Sequence, residues 1–243
     1  MKRFLVSDEL RAGARIRLPA EESKHAVRVM RLAIGAPVLL TDGRGNEAEA
    51  TLVGTDKNGA EVEVREVRAA AGRAFRIELL QGTLKGARMD WLIEKATELG
   101  VDAIRAANTQ YSVAGERPDR WARVAHAALK QSGNPRMPEL PDPAPLPDAV
   151  ARLPAGFAGF LLSPYAELGL ADAVRAAFPE GKGTVVLAIG PEGGFSEDEE
   201  KLLQSRGFRS CRLSARILRG ETAALVAAAV ATHALEFDAD ARL

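Results

Sequence analysis

A chain of 243 residues, 47% of them hydrophobic, is long enough for one large domain or for a small and a medium one. It has no run of about 18 uninterrupted apolar residues and no apolar segment after Lys2 and Arg3, so we expect neither a membrane span nor a signal peptide, and a cytoplasmic location. The single cysteine, Cys211, excludes an internal disulfide, and three dispersed histidines give no metal-ligand spacing. We therefore expect no metal.

The charge of the chain is balanced in total but uneven along the sequence. Its 33 basic and 33 acidic residues give a net charge of zero, which by itself argues against a nucleic-acid partner. However, residues 1–31 contain eight basic and four acidic residues, and residues 206–220 contain five arginines and no acid. The total number of arginines could also reflect an arginine-rich genome composition and have no functional meaning. Because arginine can fork onto phosphate oxygens and stack on bases, the local clusters favour contact with RNA.

The first 72 residues show short β-type runs separated by turn residues. One short helix, 21–31, interrupts them, and within it His25, Arg28 and Arg31 are three residues apart and can share a face. The pattern predicts a small β-barrel, followed by a linker at 69–72. The predicted strands are 14–18, 38–40, 48–53 and 60–67.

From residue 73 the pattern changes to strands that alternate with helices, which predicts βαβ units and an α/β fold with a parallel sheet. A last helix, 221–237, is rich in alanine and valine, and its small residues on nearly all sides indicate burial on more than one face. The predicted strands are 75–81, 103–107, 157–162 and 184–189, and the other predicted helices are 89–99, 117–131 and 168–177.

A glycine-rich turn, 190–194, follows the predicted strand 184–189. Glycines let backbone approach a ligand without a Cβ in the way, and α/β proteins bind ligands where strands end. The turn precedes a helix start at Ser196, where Glu199 completes a capping box; this cap explains residues 196–200, and we assign them no chemistry. The glycine motifs for ATP and dinucleotides and the Gly-x-Ser-x-Gly motif of serine hydrolases do not occur in the sequence, so those chemistries are excluded.

Residues 189–196 (IGPEGGFS) and 213–223 (LSARILRGETA) together resemble the signature of the SPOUT class of methyltransferases, and within it the RsmE family, which methylates uridine N3 in small-subunit ribosomal RNA. Residues 89–101 (MDWLIEKATELGV) look like the family's central helix, and 130–133 (KQSG), followed by 138–139, look like its next landmark. Arg3-Phe4 and the spacing of His25, Arg28 and Arg31 also match. The resemblance therefore covers nearly the whole chain.

The resemblance implies a fold and a cofactor. Residues 1–72 would form a PUA-like RNA-binding β-barrel, and residues 73–243 a SPOUT domain with a trefoil-knotted parallel sheet and helices on both faces. The last helix would pass through the knot and help to form a homodimer. The methyl donor would be S-adenosylmethionine (SAM), held by three loops. By position, the residues that would bind it are Leu162, Ser163, Pro164, Gly190, Pro191, Glu192, Gly193, Gly194, Leu213, Ile217, Leu218, Arg219 and Thr222.

The implied reaction transfers the sulfonium methyl group to N3 of a uracil that is unpaired or flipped out. Loss of the N3 proton leaves negative charge shared with the ring carbonyl oxygens, and cationic donors aimed at them would lower the barrier. We predict Arg219 and Arg216 as these donors, while Glu192 or Glu221 could be the base or only anchor a loop. The predicted RNA contacts are Arg3, Lys24, His25, Arg28, Arg31, Lys85 and Arg88.

Two positions depart from the family pattern: Ser214 stands where glycine is usual, and Asn134 where arginine is common. The substrate that the resemblance implies is small-subunit (16S) ribosomal RNA or the 30S particle. Two alternatives remain: a SPOUT enzyme acting on transfer RNA or at a ribose 2′-OH, and a non-catalytic RNA-binding or ribosome-assembly factor. The intact segments 190–194 and 219–222 favour an enzyme, because a protein without a cofactor would be free to fill the glycine positions.

Overall fold

The computed structural model describes residues 1–57, 59–70, 72–113, 115 and 117–240, the last four of these by their helical backbone alone. The chain divides into two compact units. The first consists of Met1–Gly72 and His126–Met137, and the second of Arg73–Ala125 and Pro138–Leu243. Of the predicted linker, residue 71 lies outside the described residues.

The first unit contains a five-stranded sheet with the order β1-β3-β4-β5-β2. Strands β1 and β3 are parallel and the other neighbours are antiparallel. Phe4, Leu40, Leu52 and Val62 belong to its buried core. All four predicted strands are confirmed, whereas β1 is additional. The strands are β1 (Lys2–Leu5), β2 (Arg15–Arg17), β3 (Pro37–Thr41), β4 (Asn46–Asp56) and β5 (Gly59–Ala69).

The helix of the first unit is shorter than the prediction of 21–31. Helix α1 (Ala20–Lys24) continues into a π-helical turn, His25–Val29, in which Met30 N–H donates to the His25 carbonyl at 2.9 Å. Arg31 has a φ of +51°, a left-handed conformation that ends the helix. Arg31 therefore does not lie on the helix face predicted for it.

Residues 126–137 belong to the first unit through polar contacts as well as packing. The Lys130 ammonium lies 2.5 Å from Glu22 Oε1, and Glu22 is only 8% exposed. Arg136 Nη1 donates to the Arg44 carbonyl at 3.1 Å. Burying a carboxylate without a counter-charge is energetically unfavourable, so the Lys130 ammonium stabilises the buried Glu22 carboxylate.

The second unit contains a six-stranded sheet in which all paired neighbours are parallel, with the order β11-β9-β10-β6-β7-β8. The central strands read as apolar runs because helices cover the sheet. This confirms the predicted parallel sheet. Its strands are β6 (Phe75–Gly82), β7 (Ala103–Asn108), β8 (Ala144–Pro145), β9 (Ala158–Leu162), β10 (Gly183–Ile189) and β11 (Phe208–Cys211).

Helices flank this sheet, as predicted. The last helix contacts α2, α5, β6 and β10, while α4 contacts α6, β6 and β7. Ala224, Ala227, Ala228 and Ala231 of the last helix are fully buried, which explains why its residues are small. The helices after residue 72 are α2 (Ala87–Glu98), α3 (Pro118–Ser132), α4 (Leu146–Ala151), α5 (Leu170–Ala177), α6 (Glu197–Ser205) and α7 (Gly220–Asp240). Residues 126–132 of α3 belong to the first unit.

The strand order brings the carboxyl ends of β11, β9, β10 and β6 side by side. Because these strands are parallel, the connections that follow them emerge at one edge of the sheet. From β6 the chain first adds β7 and β8 on one side and then adds β9, β10 and β11 on the other side. The direction in which strands are added therefore reverses between β6 and β10. Such reversal points are where open α/β sheets bind ligands.

None of the helices in the described part of the chain combines the length and the apolar character that crossing a membrane takes. Nor do the described residues contain a group of three or more His, Cys, Asp or Glu side chains placed to hold a metal ion.

Candidate functional site

A cavity of about 560 Å³ opens at the carboxyl edge of the second unit's sheet. The connections after β9, β10 and β11 form its walls, together with the start of α7. Its size lies within the range of sites for small molecules and cofactors. The cavity is lined by Leu162, Ser163, Pro164, Tyr165, Ile189, Gly190, Pro191, Glu192, Gly193, Gly194, Phe195, Glu200, Leu213, Ser214, Arg216, Ile217, Leu218, Arg219, Gly220 and Ala223.

The connection after β10, which we call the first cofactor loop (residues 190–194), folds back on itself. Gly194 N–H donates to the Pro191 carbonyl at 3.0 Å, and Gly194 has a φ of +75°. A Cβ at Gly190 would lie 2.6 Å from the Gly194 carbonyl carbon, closer than real Cβ atoms approach backbone. Both positions therefore need glycine, one for its conformation and the other for the space.

The connection after β7 lies over the first cofactor loop. A Cβ at Gly193 would be 2.8 Å from Tyr111 Cβ, and Gln110 N–H donates to Glu199 Oε1 at 2.7 Å. The other oxygen of Glu199 accepts from Ser196 N–H at 2.9 Å, which confirms the predicted capping box. Glu199 thus holds the start of α6 and a residue from the connection after β7 at the same time.

The connection after β11 and the first two residues of α7 together form what we call the second cofactor loop (residues 212–221), which reaches the first loop at its end. A Cβ at Gly220 would be 3.1 Å from the Gly190 carbonyl oxygen and 3.1 Å from Leu84 Cδ2. Ser214 Oγ accepts from Arg216 N–H at 3.0 Å, so its hydroxyl serves a turn that glycine would leave without a side-chain bond. Asn134, the other departure from the family pattern, likewise accepts from Arg136 N–H at 3.0 Å.

Arg216 and Arg219 lie exposed on the wall of the cavity. Neither forms an ion pair with any carboxylate of the described residues, unlike Arg88 and ten other arginines of this chain. An exposed guanidinium without a partner in the protein is available to an anionic ligand.

Arg88, at the start of α2, meets both cofactor loops. Its Nη1 lies 2.6 Å from Glu192 Oε1 and its Nε lies 4.0 Å from Glu221 Oε1. Partial burial tends to raise the pKa of the Glu192 carboxyl, but hydrogen bonds from its own N–H, the Arg88 side chain and Lys85 N–H hold that pKa below its ordinary value. The Glu221 side chain is only 10% exposed, and its Oε2 has no hydrogen-bond partner among the described residues.

The cavity brings together the residues predicted to bind SAM, with the exception of Thr222, whose neighbours Gly220 and Ala223 line it instead. Glu221 also lies outside the lining. Sequence reasoning did not select Tyr165 and Phe195, although each directly follows a predicted segment. Tyr111 approaches the first loop from the connection after β7, and no sequence motif around it indicates this contact.

The residues predicted to contact RNA differ in their surroundings. Lys24, Arg28 and Arg31 are exposed, and no ion pair joins them to the part of the chain that the structure describes. His25 is half-buried. Arg3 instead lies 2.9 Å from Glu47, with 15% of its side chain exposed. Lys85 and Arg88 are exposed at the start of α2.

Comparison with known proteins agrees with this fold. Residues 72–232 match the family model of an RNA methyltransferase domain, and residues 18–65 match that of an RNA methyltransferase PUA domain. Fold and cavity therefore define an RNA methyltransferase with a PUA domain. The first match covers well over half of the chain.

The chain is 31% identical to the ribosomal RNA small subunit methyltransferase E of Mycobacterium bovis, over 94% of this chain and 90% of that protein. It is 27% identical to the Bacillus subtilis protein of the same name, over 96% and 95%. A solved Neisseria gonorrhoeae methyltransferase E bound to SAM superposes with a TM-score of 0.85, at 30% identity and 96% coverage of each chain. A Legionella pneumophila methyltransferase with bound SAM gives 0.85 at 29% identity, covering 96% of this chain and 97% of that one. The chain belongs to the ribosomal RNA small subunit methyltransferase E (RsmE) family.

Proposed function

We propose that this protein uses SAM to methylate N3 of a uridine in small-subunit (16S) ribosomal RNA. The observation that carries this proposal is the cavity at the sheet edge, whose three walls are the segments expected to hold SAM. Relatives whose names state methylation of small-subunit ribosomal RNA, and solved relatives that bind SAM, support it.

The cavity suits SAM. Leu213, Ile217 and Leu218 offer an apolar surface for the adenine ring, and the first cofactor loop offers backbone groups. A Cβ at Gly194 would meet nothing within 4 Å, so the backbone at this position is open to a ligand. When bound, SAM supplies a methyl group activated by a sulfonium. The residues that would hold it are those predicted from the sequence, with Gly220 and Ala223 in the place of Thr222.

Arg219 and Arg216 provide positive charge at the cavity wall. N3 lies on the Watson–Crick edge of uracil, so the base must be unpaired or flipped before it reaches the cavity. As N3 loses its proton, negative charge develops on the two ring carbonyl oxygens. A guanidinium without a protein partner can stabilise that charge, and we assign this role to Arg219, with Arg216 beside it.

Glu192 and Glu221 are the two carboxylates that the sequence offers as a base or as loop anchors. Glu192 lines the cavity and accepts several hydrogen bonds, whereas Glu221 is buried outside the lining. Both approach Arg88. This shared contact favours the second role, the anchoring of the cofactor loops.

We assign RNA binding to the domain 1–72, through the exposed cations Lys24, Arg28 and Arg31 and the neighbouring His25, and to Lys85 beside the cavity. Arg3 forms an ion pair with Glu47, so we assign it a structural role and not a contact with RNA. The proposed substrate is the 16S RNA or the 30S particle, and we propose a cytoplasmic location because the substrate is ribosomal RNA.

We further propose a homodimer and a trefoil knot in the domain 73–243, as in the family that the sequence resembles. Three large apolar side chains, on α2, at its C-terminal cap and on α7, support the dimer because they remain well exposed in one chain: Trp91 at 43%, Leu99 at 39% and Val226 at 38%. Light scattering on the purified protein tests the dimer, and a monomer mass at micromolar concentration would reject it.

The function is tested by calorimetric titration with SAM, followed by nucleoside mass spectrometry of ribosomal RNA from cells with and without the gene. Binding, together with loss of 3-methyluridine in the deletion strain, is the expected result. Loss of a ribose-methylated nucleoside or of a transfer RNA modification would redirect the assignment to another substrate. No binding and an unchanged nucleoside profile would leave a non-catalytic RNA-binding factor.

A further inference from the structure

The connection between β6 and α2 packs against both cofactor loops. A Cβ at Gly82 would collide with the Pro191 ring, and Leu84 Cδ2 would lie 3.1 Å from a Cβ at Gly220. Gln81 Nε2 lies 3.4 Å from the carbonyl oxygens of Ile189 and Gly190. Residues 81–88 are therefore a common support for two loops that are distant in sequence.

Arg88 adds charge to this support. Its guanidinium reaches Glu192 in the first cofactor loop at 2.6 Å and Glu221 at the end of the second at 4.0 Å. The contact with Glu192 is a charge-assisted hydrogen bond, while the contact with Glu221 is an ion pair. A planar guanidinium with five N–H donors can serve two carboxylates at once, which a single ammonium does less well.

Glu221 depends on this pairing more than Glu192 does. The Glu192 side chain is 34% exposed and is also hydrogen-bonded by backbone N–H groups, whereas the Glu221 side chain is 10% exposed. Among the described residues, Arg88 alone provides a positive charge within ion-pair distance of Glu221. A buried carboxylate that loses its counter-charge is strongly unfavourable, so the end of the second loop would have to move.

We propose that Arg88 is a positioning residue that ties Glu192 of the first cofactor loop to Glu221 of the second, so that both carboxylates act as loop anchors for the cofactor cavity and not as proton acceptors. The proposal rests on the SAM-dependent function proposed above. It gives Arg88 a role inside the protein in addition to the RNA contact predicted from its charge.

The first test compares Arg88→Met, Arg88→Lys and Arg120→Met by calorimetric titration with SAM. Arg120 of α3 is a matched control, because it pairs at 2.6 Å with Asp90 of α2, the helix that carries Arg88, and does not line the cavity. We expect Arg88→Met to weaken SAM binding on the order of tenfold, Arg88→Lys to restore part of the loss, and Arg120→Met to leave it unchanged. Melting temperatures show whether each variant is folded.

The second test is a double-mutant cycle with Glu192→Gln and Glu221→Gln. If the carboxylates act through Arg88, Arg88→Met weakens SAM binding much less in the background of either glutamine variant than in the wild type. The glutamine variants should also lower SAM affinity while the turnover number at saturating SAM keeps its dependence on pH.

Additive effects in the cycle, or unchanged SAM affinity in Arg88→Met, would overturn the proposal. So would a glutamine variant that binds SAM normally but loses at least about a hundredfold in turnover, because that is the signature of a lost proton acceptor. Failure of the wild-type protein to bind SAM is a different outcome, since it would reject the proposed function itself.

Discussion

Tyr111 lies directly against the backbone of Gly193, so that a Cβ at position 193 would be 2.8 Å from Tyr111 Cβ and 3.0 Å from Tyr111 Cγ. The connection after β7 thereby sets the position of the first cofactor loop from outside the cavity. Gly193 has no positive φ, so only the missing side chain makes this approach possible.

Gly193→Ala should therefore weaken SAM binding by about tenfold or more, because the loop or Tyr111 must shift to remove the overlap. Tyr111→Gly in the same chain should restore much of the affinity, whereas Tyr111→Ala should not, since alanine keeps the colliding Cβ. Gly169→Ala is the control, because its Cβ would meet only Asp172 Oδ2 at 3.6 Å. Calorimetric titration with SAM measures all four variants.

Arg219→Ala should lower the turnover number at saturating SAM about a hundredfold or more, beyond any loss of SAM affinity, because the guanidinium acts on charge that develops only during the reaction. Arg206→Ala is the matched control from the same arginine-rich segment, since Arg206 is exposed and does not line the cavity. Single-turnover methylation of ribosomal RNA with saturating SAM measures the step. Full turnover in Arg219→Ala would remove Arg219 from the mechanism.

Arg28→Ala should weaken RNA binding and reduce the slope of log affinity against log salt by about one, as expected for the loss of one phosphate contact. Arg11→Ala serves as its control, because Arg11 is also exposed but pairs with Glu9. Filter binding to 16S RNA at several salt concentrations between 50 and 200 mM gives the slope. An unchanged slope in Arg28→Ala would place the RNA on another surface.

Cys211 reports on SAM binding, because it ends β11 directly before the second cofactor loop and is fully buried. A thiol reagent reaches it only when this edge opens. SAM at 100 times its Kd should therefore slow labelling roughly a hundredfold, provided that opening releases the cofactor. A labelling rate that does not change when SAM is added would show that the second loop opens without releasing SAM from the cavity.

The same thiol predicts a dependence of stability on pH. Burial raises the pKa of Cys211 above its ordinary value, although Arg209 acts in the opposite direction. The folded state therefore holds this proton more tightly than the unfolded state, and the resulting stabilisation is present below about pH 8.5 and is lost as the pH rises through the folded pKa. Chemical denaturation between pH 7 and 10 should show a steeper loss for the wild type than for Cys211→Ala.

Contacts local in sequence were the predictable part of this site. The glycines of 190–194 follow a strand whose apolar run is easily read, so this wall of the cavity could be located from the residues. The wall at 213–222 was predicted from the family resemblance, because β11 before it (FRSC) has no apolar run. Tyr111 could not be predicted, because its approach to Gly193 depends on the order of the strands in the sheet. The pairing of Arg88 with Glu192 spans 104 positions, and its charge alone suggested RNA.

The fold shows the same division. Strands β4 and β5 have clear alternation and were predicted, whereas β1 has four residues and gains its place by pairing with β3. The helix predicted as 21–31 keeps its start, but the π-helical turn and the left-handed Arg31 change which side chains share a face. Neither feature has a composition that distinguishes it from an ordinary helix.

The pairing of Glu22 with Lys130 also sets an order of events during synthesis. The chain carries Glu22 in its first helix, yet the ammonium that neutralises this carboxylate, and the rest of residues 126–137, leave the ribosome after the whole N-terminal sheet. At elongation rates of about 5–20 residues per second the delay is several seconds. During this interval the Glu22 carboxylate lacks its counter-charge, and a fragment that stops at residue 72 would lack it permanently.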